Sequence, residues 1–254
     1  MNVSFITGAS SGIGRSLSRR IASEGHAVAV VARRKQLLDT LVDEIEYANG
    51  RALAIECDIT DRARVHQAVR ETEDVLGPID RLVANAGGGE RTSVKPFEAS
   101  HIDRVLALNV IGTANCIEAV LPGMLERGTG HIVAISSLAA YRGLPGAAGY
   151  SAAKAALTNM MESLMIDLKP LGIGVTVVLP GFVRTKPSSK KNRPLELELE
   201  DATARIHQAI LVRKRRYAFP LALAMAVGFG RMLPAGLYER LLSRRGRNAA
   251  RKSR

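Results

Sequence analysis

The sequence predicts one α/β domain built on a doubly wound parallel sheet, followed by a helical C-terminal extension. Short, nearly uninterrupted apolar runs alternate along the chain with segments whose apolar residues recur at helical spacing. Uninterrupted runs of this kind are typical of strands buried on both faces. A length of 254 residues with 46% hydrophobic residues suits a single large domain. An eight-stranded α/β barrel is the alternative, but the clear strand-like runs are too few for it.

Six strand-like runs precede residue 180. They are Val3–Thr7, Ala27–Ala32, Ala52–Cys57, Arg81–Ala84, His131–Ser136 and Gly174–Leu179. Segments with helical spacing lie between them, and in the first segment Ile13, Leu17 and Ile21 fall on one face. This repeated alternation predicts parallel strands joined by helices that cover both faces of the sheet.

The pattern changes after the sixth run. Residues 186–194 are polar and basic and contain two prolines, which predicts a mobile loop. Asp201 is expected to cap a helix that carries Ile206. Residues 215–220 predict a further strand, and the mainly apolar stretch from Leu221 onward predicts the helical extension.

The net charge of +12 belongs to the C-terminal quarter. Residues 1–183 contain 18 Lys and Arg against 19 Asp and Glu, whereas residues 184–254 contain 18 against 5. The first part is therefore near-neutral. Any electrostatic attraction to an anionic partner must come from the end of the chain.

Composition disfavours several classes of function. The chain has no run of eighteen apolar residues, so no transmembrane helix is predicted. The five histidines lack paired ligand spacing, so no metal site is expected. The aromatic residues are five Phe and five Tyr, few of them among the basic residues of the tail, so no nucleic-acid partner is expected. Cys57 and Cys116 lie in apolar segments, which predicts buried free thiols and a cytoplasmic location.

Three glycines, Gly8, Gly12 and Gly14, mark the junction between the first strand and the first helix. Glycine permits a tight turn, close approach of the backbone to a pyrophosphate, and tight packing of helix on strand. The phosphates would lie at the N-terminal end of the helix, where free N–H groups and the dipole favour anions. The spacing predicts a dinucleotide site rather than a P-loop, and a glycine-rich turn without a ligand is the alternative.

The end of the second strand bears on which dinucleotide binds. A carboxylate there would hydrogen-bond the adenosine ribose and repel a 2′-phosphate. This chain has Ala32 followed by Arg33 and Arg34, and guanidinium groups pair well with phosphate. The sequence therefore favours NADP(H), with a solvated basic helix start as the alternative.

Tyr150 and Lys154 lie one helical turn apart and therefore share a face. A tyrosine with a pKa of about 10 is a poor acid–base group at neutral pH. A neighbouring ammonium stabilises the phenolate and lowers that pKa, which suits proton exchange with a carbonyl or alcohol oxygen. The pair is common by itself, and it becomes informative because Ser137 and Asn109 occur in the same chain.

Taken together, these motifs resemble the short-chain dehydrogenase/reductase family, which has a Rossmann core. The matching segments are TGASSGIG (7–14), CDIT with Asp58, NAG (85–87), LNVIG with Asn109, ISS ending at Ser137, YSAAK (150–154) and PGFVRT (180–185). They follow the family's order across about residues 1–185, and as a set they are highly specific.

The resemblance implies four catalytic residues. Tyr150 would be the proton donor and acceptor, and Lys154 would bind the nicotinamide ribose and tune Tyr150. Ser137 would hold the substrate oxygen, and Asn109 would support a water that relays protons to Lys154. Ser136 is the alternative to Ser137, but the thirteen-residue spacing to Tyr150 favours Ser137.

The resemblance also implies the cofactor site. Asp58 would contact adenine, the NAG segment would flank the ribose, and Val183 and Thr185 would contact the carboxamide. The expected cofactor-binding residues are Gly8, Ser10, Ser11, Gly12, Ile13, Gly14, Arg33, Arg34, Asp58, Ile59, Asn85, Ala86, Gly87, Tyr150, Lys154, Pro180, Gly181, Val183 and Thr185.

The expected function is therefore an NADP(H)-dependent oxidoreductase that transfers a hydride between nicotinamide and a ketone, aldehyde or secondary alcohol. A lipophilic substrate and a homodimer or homotetramer are expected. A non-catalytic dinucleotide sensor or scaffold is the alternative, although a sensor has no need of the acid.

The chain divides at residue 219 into a dinucleotide-binding and catalytic domain (1–219) and a basic amphipathic extension (220–254), which departs from the commonest family pattern. An apolar stripe there is surrounded by cations: Leu237, Tyr238, Leu241 and Leu242, with Arg240, Arg244 and Arg245. This pattern fits a helix at the surface of an anionic membrane. Packing on the protein itself or on a partner subunit explains it equally well.

Overall fold

A parallel sheet forms the centre of the computed structural model, which describes residues 2–185 and 193–242. Its strands are β1 Val3–Thr7, β2 Ala27–Ala32, β3 Arg51–Glu56, β4 Ile79–Ala84, β5 Gly130–Ile135, β6 Ile173–Pro180 and β9 Arg216–Phe219. Their order across the sheet is β3-β2-β1-β4-β5-β6-β9, and every pairing is parallel. The chain order reverses between β1 and β4, which is the doubly wound arrangement. The predicted fold class is confirmed.

Helices cover both faces of this sheet. They are α1 Gly12–Ala22, α2 Lys35–Tyr47, α3 Arg62–Leu76, α4 Ala99–Leu106, α5 Gly112–Arg127, α6 Ala148–Leu168, α7 Leu199–Leu211 and α8 Leu221–Met232. A last helical segment covers residues 235–242, and the short strands β7 Val183–Arg184 and β8 Leu197–Glu198 pair with each other.

The strands read as uninterrupted apolar runs because each face of the sheet packs on its own helical layer. Phe5 belongs to the core shared with α3, α5 and α6, whereas the next residue, Ile6, belongs to the core shared with α1, α2 and α7. All five residues of β1 are buried. Alternate side chains therefore point to opposite cores, and both must be apolar.

Of three local predictions for the end of the chain, one is confirmed, one is wrong and one lies mostly outside the described residues. The strand expected over residues 215–220 is β9 at the edge of the sheet. Asp201 does not cap its helix, because α7 begins at Leu199 with Glu198 at the N-cap position. Asp201 lies in the first turn of α7. Most of the loop expected over residues 186–194 lies outside the described residues.

The helical stretch Ala99–Arg127 is long and apolar enough to cross a membrane by length and composition alone. It consists of α4, a π-helical turn at Ala107–Ile111 and α5. Cys116, Ile117 and Val120 on this stretch are buried in the core against the sheet. Its apolar character is thus explained by packing.

Candidate active site

A cleft of about 1500 Å³ opens at the carboxyl ends of the strands, where the strand order reverses. In doubly wound sheets this crevice is where ligands bind. All but two of the predicted site residues line it. The exceptions are Gly14, which packs behind the glycine turn, and Asn109, which lies behind Gly88.

The glycine turn between β1 and α1 requires glycine for two reasons. Gly8 and Gly12 have φ values of +66° and +56°, in the left-handed region. A Cβ atom on Gly8 would lie 2.7 Å from the Ala86 Cα, and one on Gly14 would lie 2.5 Å from the Gly8 carbonyl oxygen. The turn therefore packs directly on the chain after β4.

The N-terminus of α1 is open to an anion. Its first turn contains no acidic residue, and in the described part of the chain the Ser11 side chain makes no capping hydrogen bond. The first amides of α1 and the positive end of its dipole thus face the cleft. This environment fits a pyrophosphate group.

Two arginines border the adenosine end of the cleft. Arg34 donates hydrogen bonds to the hydroxyl oxygens of Ser10 and Ser11, at 2.7 and 2.9 Å. Arg33 lies 3.6 Å from an Asp58 carboxylate oxygen. Burial by itself would raise the pKa of Asp58, but hydrogen bonds from Thr60 and the charge of Arg33 bring it below its ordinary value.

Thr7, the first residue of the TGASSGIG motif, fixes the NAG segment, a role that the sequence analysis did not assign to it. The Thr7 hydroxyl oxygen accepts the backbone N–H groups of Asn85 and Ala86, at 3.1 and 3.0 Å. The Asn85 side-chain amide donates to the Thr7 carbonyl oxygen at 3.0 Å. These bonds hold the ends of β1 and β4 together below the glycine turn. The signal available in the sequence was a threonine at the last position of a buried strand.

Ser137, Tyr150 and Lys154 come together where β5 ends and α6 begins. Ser137 and Tyr150 line the same cleft, and interaction with the Ser137 hydroxyl acts to lower the pKa of Tyr150. The Lys154 ammonium lies 5.8 Å from the centre of the Tyr150 ring and donates to the Ile135 carbonyl oxygen at 2.9 Å. A hydroxyl pair with a buried ammonium beside it can hold a carbonyl oxygen and exchange a proton with it.

Burial governs the proton affinities of this group. It raises the pKa of Tyr150, and interaction with the Ser137 hydroxyl offsets part of the rise. It lowers the pKa of Lys154 to about 8. The sequence led us to expect a lowered Tyr150 pKa through Lys154. In the chain alone the loss of hydration of the phenolate outweighs any such effect.

Ser136, the alternative to Ser137, also borders the cleft, but its hydroxyl is engaged with α6. It is buried and bonds to the Thr158 hydroxyl at 2.7 Å and to the Lys154 carbonyl oxygen at 3.1 Å. Its hydroxyl helps to fix α6 on the end of β5. The geometry therefore favours Ser137 as the residue that faces a substrate oxygen.

Asn109 is fully buried in the π-helical turn between α4 and α5. Its side-chain amide donates to the carbonyl oxygens of Gly88 and Val105, both at 2.8 Å. A Cβ atom on Gly87 would lie 2.6 Å from the Asn109 Oδ1 and 3.0 Å from the Lys154 Nζ. The π turn places Asn109 against the glycine segment and beside Lys154, and such turns are frequent at functional sites.

The C-terminal extension forms one wall of the cleft. Its apolar residues on α8, on the last helical segment and between the two line the cleft: Leu223, Val227, Leu233, Leu237, Tyr238, Leu241 and Leu242. The stripe that the sequence assigned equally to a membrane or to packing thus lies against the chain's own cleft. Membrane contact stays a prediction, and Arg244 and Arg245 lie outside the described residues.

Arg142, which the sequence motifs did not single out, fastens this wall. Its guanidinium donates to the carbonyl oxygens of Gly230 and Leu233, at 2.7 and 2.8 Å. The same group lies 3.9 Å from the centre of the Tyr238 ring, and the Tyr238 hydroxyl donates to the Gly143 carbonyl oxygen at 2.8 Å. The segment after β5 therefore holds the extension over the cleft.

Among residues 2–185 and 193–242, no cluster of three metal-ligating side chains occurs.

The sequence pattern of the family described as short chain dehydrogenase matches residues 2–196 of this chain. The chain belongs to the short-chain dehydrogenase family. An uncharacterized oxidoreductase of Myxococcus xanthus is 37% identical to the dehydrogenase over 92% of this chain and 94% of the relative.

Solved structures agree. A short-chain dehydrogenase from Streptomyces avermitilis superposes with a TM-score of 0.81 at 29% identity, covering 98% of each chain. A 7α-hydroxysteroid dehydrogenase complexed with NADH and 7-oxo glycochenodeoxycholic acid superposes with a TM-score of 0.80 at 26% identity, covering 85% of the dehydrogenase and 92% of that chain.

The chain therefore belongs to a family of oxidoreductases that bind a nicotinamide dinucleotide. The cleft fits such a cofactor. Gly8 and Gly12 line the cleft without side chains, and the start of α1 offers free amides to the charge of a pyrophosphate.

Proposed function

We infer that the dehydrogenase transfers a hydride between NADP(H) and a ketone, aldehyde or secondary alcohol, with Tyr150 as the proton donor and acceptor. One observation carries this proposal. Tyr150, Ser137 and the buried Lys154 line one cleft, which also contains the glycine turn, and the Lys154 ammonium lies 5.8 Å from the centre of the Tyr150 ring.

When bound, the nicotinamide supplies a hydride to a carbonyl carbon, or accepts one from the alcohol. The residues of the chain handle the oxygen and the proton. The Ser137 hydroxyl holds the substrate oxygen, and in reduction Tyr150 gives that oxygen its proton. Lys154, charged below a pKa of about 8, stabilises the phenolate that remains. Asn109 holds the Gly88 segment beside Lys154.

NADP(H) is proposed over NAD(H) because the adenosine end of the cleft is cationic. Ala32 occupies the position at which a carboxylate would select NAD(H). Arg34 is oriented by Ser10 and Ser11, and Arg33 is largely exposed at the rim. Both guanidinium groups can therefore reach a 2′-phosphate.

A lipophilic substrate is proposed because the cleft that Tyr150 lines also has an apolar wall. Leu144 and Phe182 from the core domain and Leu223, Val227 and Leu237 from the extension line it. Burial of such surface against an apolar substrate supplies the binding free energy.

We also propose that the chain forms a homodimer or homotetramer in the cytoplasm. Large apolar side chains lie exposed on the π-helical turn, α5 and α6, namely Ile111, Leu125 and Ile166, and both cysteines are free and buried. Exposed groups of this kind are typical of subunit contacts. Light scattering of the purified chain tests the assembly.

The first test is Tyr150→Phe. We expect NADPH to bind with nearly unchanged affinity, because the ring remains, while turnover of a lipophilic carbonyl falls about 10²–10⁴-fold through loss of the proton. NADPH oxidation with acyl, steroid, retinoid and short aliphatic carbonyls is the assay, and NADPH titration measures binding.

Tyr141→Phe, which alters the half-buried tyrosine beneath Arg216, is the matched control and should keep its turnover. Near-normal turnover in Tyr150→Phe would exclude Tyr150 as the acid. Binding of NADPH without turnover of any carbonyl by the unaltered chain would favour the sensor or scaffold.

A further inference from the structure

The helix α8 is apolar on two sides. Leu223, Val227 and Gly230 line the cleft. Leu221, Met225 and Met232, at spacings of four and seven residues, share a different face. These three side chains are 71%, 65% and 81% exposed. The helix α8 therefore separates the cleft on one side from an apolar, exposed face on the other.

The two sides are continuous at Phe229. This residue is 66% exposed, borders the cleft, and follows Met225 by one helical turn. Leu237 and Leu241 of the last helical segment are also about half exposed while lining the cleft. An apolar surface therefore runs from the exterior of α8 into the substrate cleft.

The part of the chain that contains α8 is strongly basic. From residue 202 to the end of the sequence there are thirteen Lys and Arg and a single acidic residue, Glu239. Arg231 on α8 and Arg240 on the last helical segment are both exposed. An apolar helix face with basic residues beside it complements the acyl chains and headgroups of an anionic bilayer.

We propose that the outer face of α8 inserts into the interfacial layer of an anionic membrane, so that lipophilic substrates enter the cleft along Phe229. The twelve residues of α8 extend about 18 Å, too short to cross the hydrocarbon core of about 30 Å, so the helix lies in the plane of the interface. The route of entry rests on the proposed function, but membrane binding does not, so the two can fail separately.

The test uses the full-length protein and sedimentation with vesicles of phosphatidylcholine alone or with phosphatidylserine. We expect about tenfold stronger binding with phosphatidylserine, lost when salt shortens the Debye length to a few ångströms. Met225→Gln with Met232→Gln, which leaves the cleft residues intact, should weaken binding about tenfold. Tyr47→Gln with Val75→Gln is the matched control, because these exposed residues lie on α2 and α3, which flank β3 at the opposite edge of the sheet.

A second measurement does not depend on the glutamine variants. The chain contains no tryptophan, so Met225→Trp provides a single fluorescent probe on the outer face. Its emission should shift to shorter wavelength and be quenched by brominated lipids on phosphatidylserine vesicles, whereas that of Val75→Trp should not.

Several results would overturn the proposal. Absence of binding to phosphatidylserine vesicles at low salt would do so, and so would equal binding by the Met225/Met232 variant and its control. Equal retention on duplex DNA in place of vesicles would assign the basic quarter to nucleic acid. A smaller oligomer in the Met225/Met232 variant would assign the face to a second copy of the chain. Turnover of a short water-soluble ketone, measured without vesicles, reports separately on the proposed function.

Discussion

Arg33 and Arg34 are neighbours in sequence but are held differently. Arg34 is fixed by two hydroxyl oxygens of the glycine turn, whereas the Arg33 side chain is 72% exposed and faces Asp58 across 3.6 Å. An exposed ion pair of this kind adds little to stability. Arg33 can therefore turn toward a ligand at little cost in folding free energy.

Arg33→Asp should weaken NADPH binding by about 1.5–3 kcal/mol, the range for a charge-assisted hydrogen bond. NADH binding should change little, because NADH lacks the 2′-phosphate. Titration of each cofactor by fluorescence measures both. Lys35→Asp, which changes the charge two residues away, is the control. Equal affinities of the unaltered chain for NADH and NADPH would contradict the proposed preference.

His131 is a residue whose protonation opposes folding. It is 2% exposed, and its Nε2 lies 2.8 Å from the Thr176 hydroxyl. Burial, and then the charges of Arg81 and Arg213, lower its pKa to about 3. The unfolded chain therefore binds a proton at this residue between about pH 6.5 and 3, whereas the folded chain does not.

The free energy of unfolding should accordingly fall as the pH falls through this window, by about 3 kcal/mol from this residue between neutral pH and about pH 4.5. His131→Gln removes the titrating group, so its stability should decline less steeply. Urea unfolding at a series of pH values measures the slope. His66→Gln, on the partly exposed side of α3, is the control. Parallel profiles for His131→Gln and the unaltered chain would rule out this contribution.

At the scale of elements, the link between the segment after β5 and the C-terminal end of α8 shapes the cleft. Arg142 donates to two carbonyl oxygens at that end and stacks on Tyr238. The last carbonyls of a helix lack helical partners, and a cation there is favoured by the dipole. The extension is thus fastened by one side chain to the domain whose cleft it covers.

Arg142→Ala should loosen this wall. We expect the KM for a long lipophilic carbonyl to rise about tenfold, because one or two hydrogen bonds to a charged group are lost. The kcat for a short ketone should change little. Cleavage by protease after residue 220 should become faster. Tyr238→Phe, which keeps the ring and loses one hydroxyl bond, should show a smaller effect. An unchanged KM in Arg142→Ala would mean that Arg142 does not position the wall.

The strand boundaries predicted from the apolar runs agree with the structure to within two residues. β1 and β2 begin and end where the apolar runs do. The start of α7 did not follow the prediction, because Asp201 is only one of several polar residues that suit a first turn. The π-helical turn at Asn109 has no apolar signature of its own, since it continues the spacing of α4 into α5.

At the scale of the whole molecule, we propose that residues 1–219 form the unit that carries the chemistry. The glycine turn, Ser137, Tyr150 and Lys154 all precede residue 220. Among the described residues of the extension, Ala224 is the one that is buried. The extension therefore adds a cleft wall rather than a large share of the core.

A chain ending at Pro220 should still fold, bind the dinucleotide and turn over a short ketone, while its KM for lipophilic carbonyls rises. The physical reason is that Leu223, Val227 and Leu237 no longer exclude water from the substrate. Circular dichroism, cofactor titration and the two substrate classes measure this. Failure of the shortened chain to fold would place the extension within the core domain.

The sequence by itself determined the parallel α/β fold, the glycine turn and the residues that meet at the base of the cleft. Those features rest on local requirements: both-face burial makes a strand apolar, a positive φ needs glycine, and a helical turn places Tyr150 beside Lys154.

Only the tertiary structure decided where the extension lies and what holds it. Arg142 reaches carbonyl groups 88 and 91 residues away, and Thr7 meets Asn85 across 78. The sequence does not show which backbone carbonyl groups accept side-chain hydrogen bonds. An apolar stripe has the same sequence pattern whether it packs against a cleft, a subunit or a lipid. The raised pKa of Tyr150 likewise follows from its burial, which the whole fold creates and no motif records.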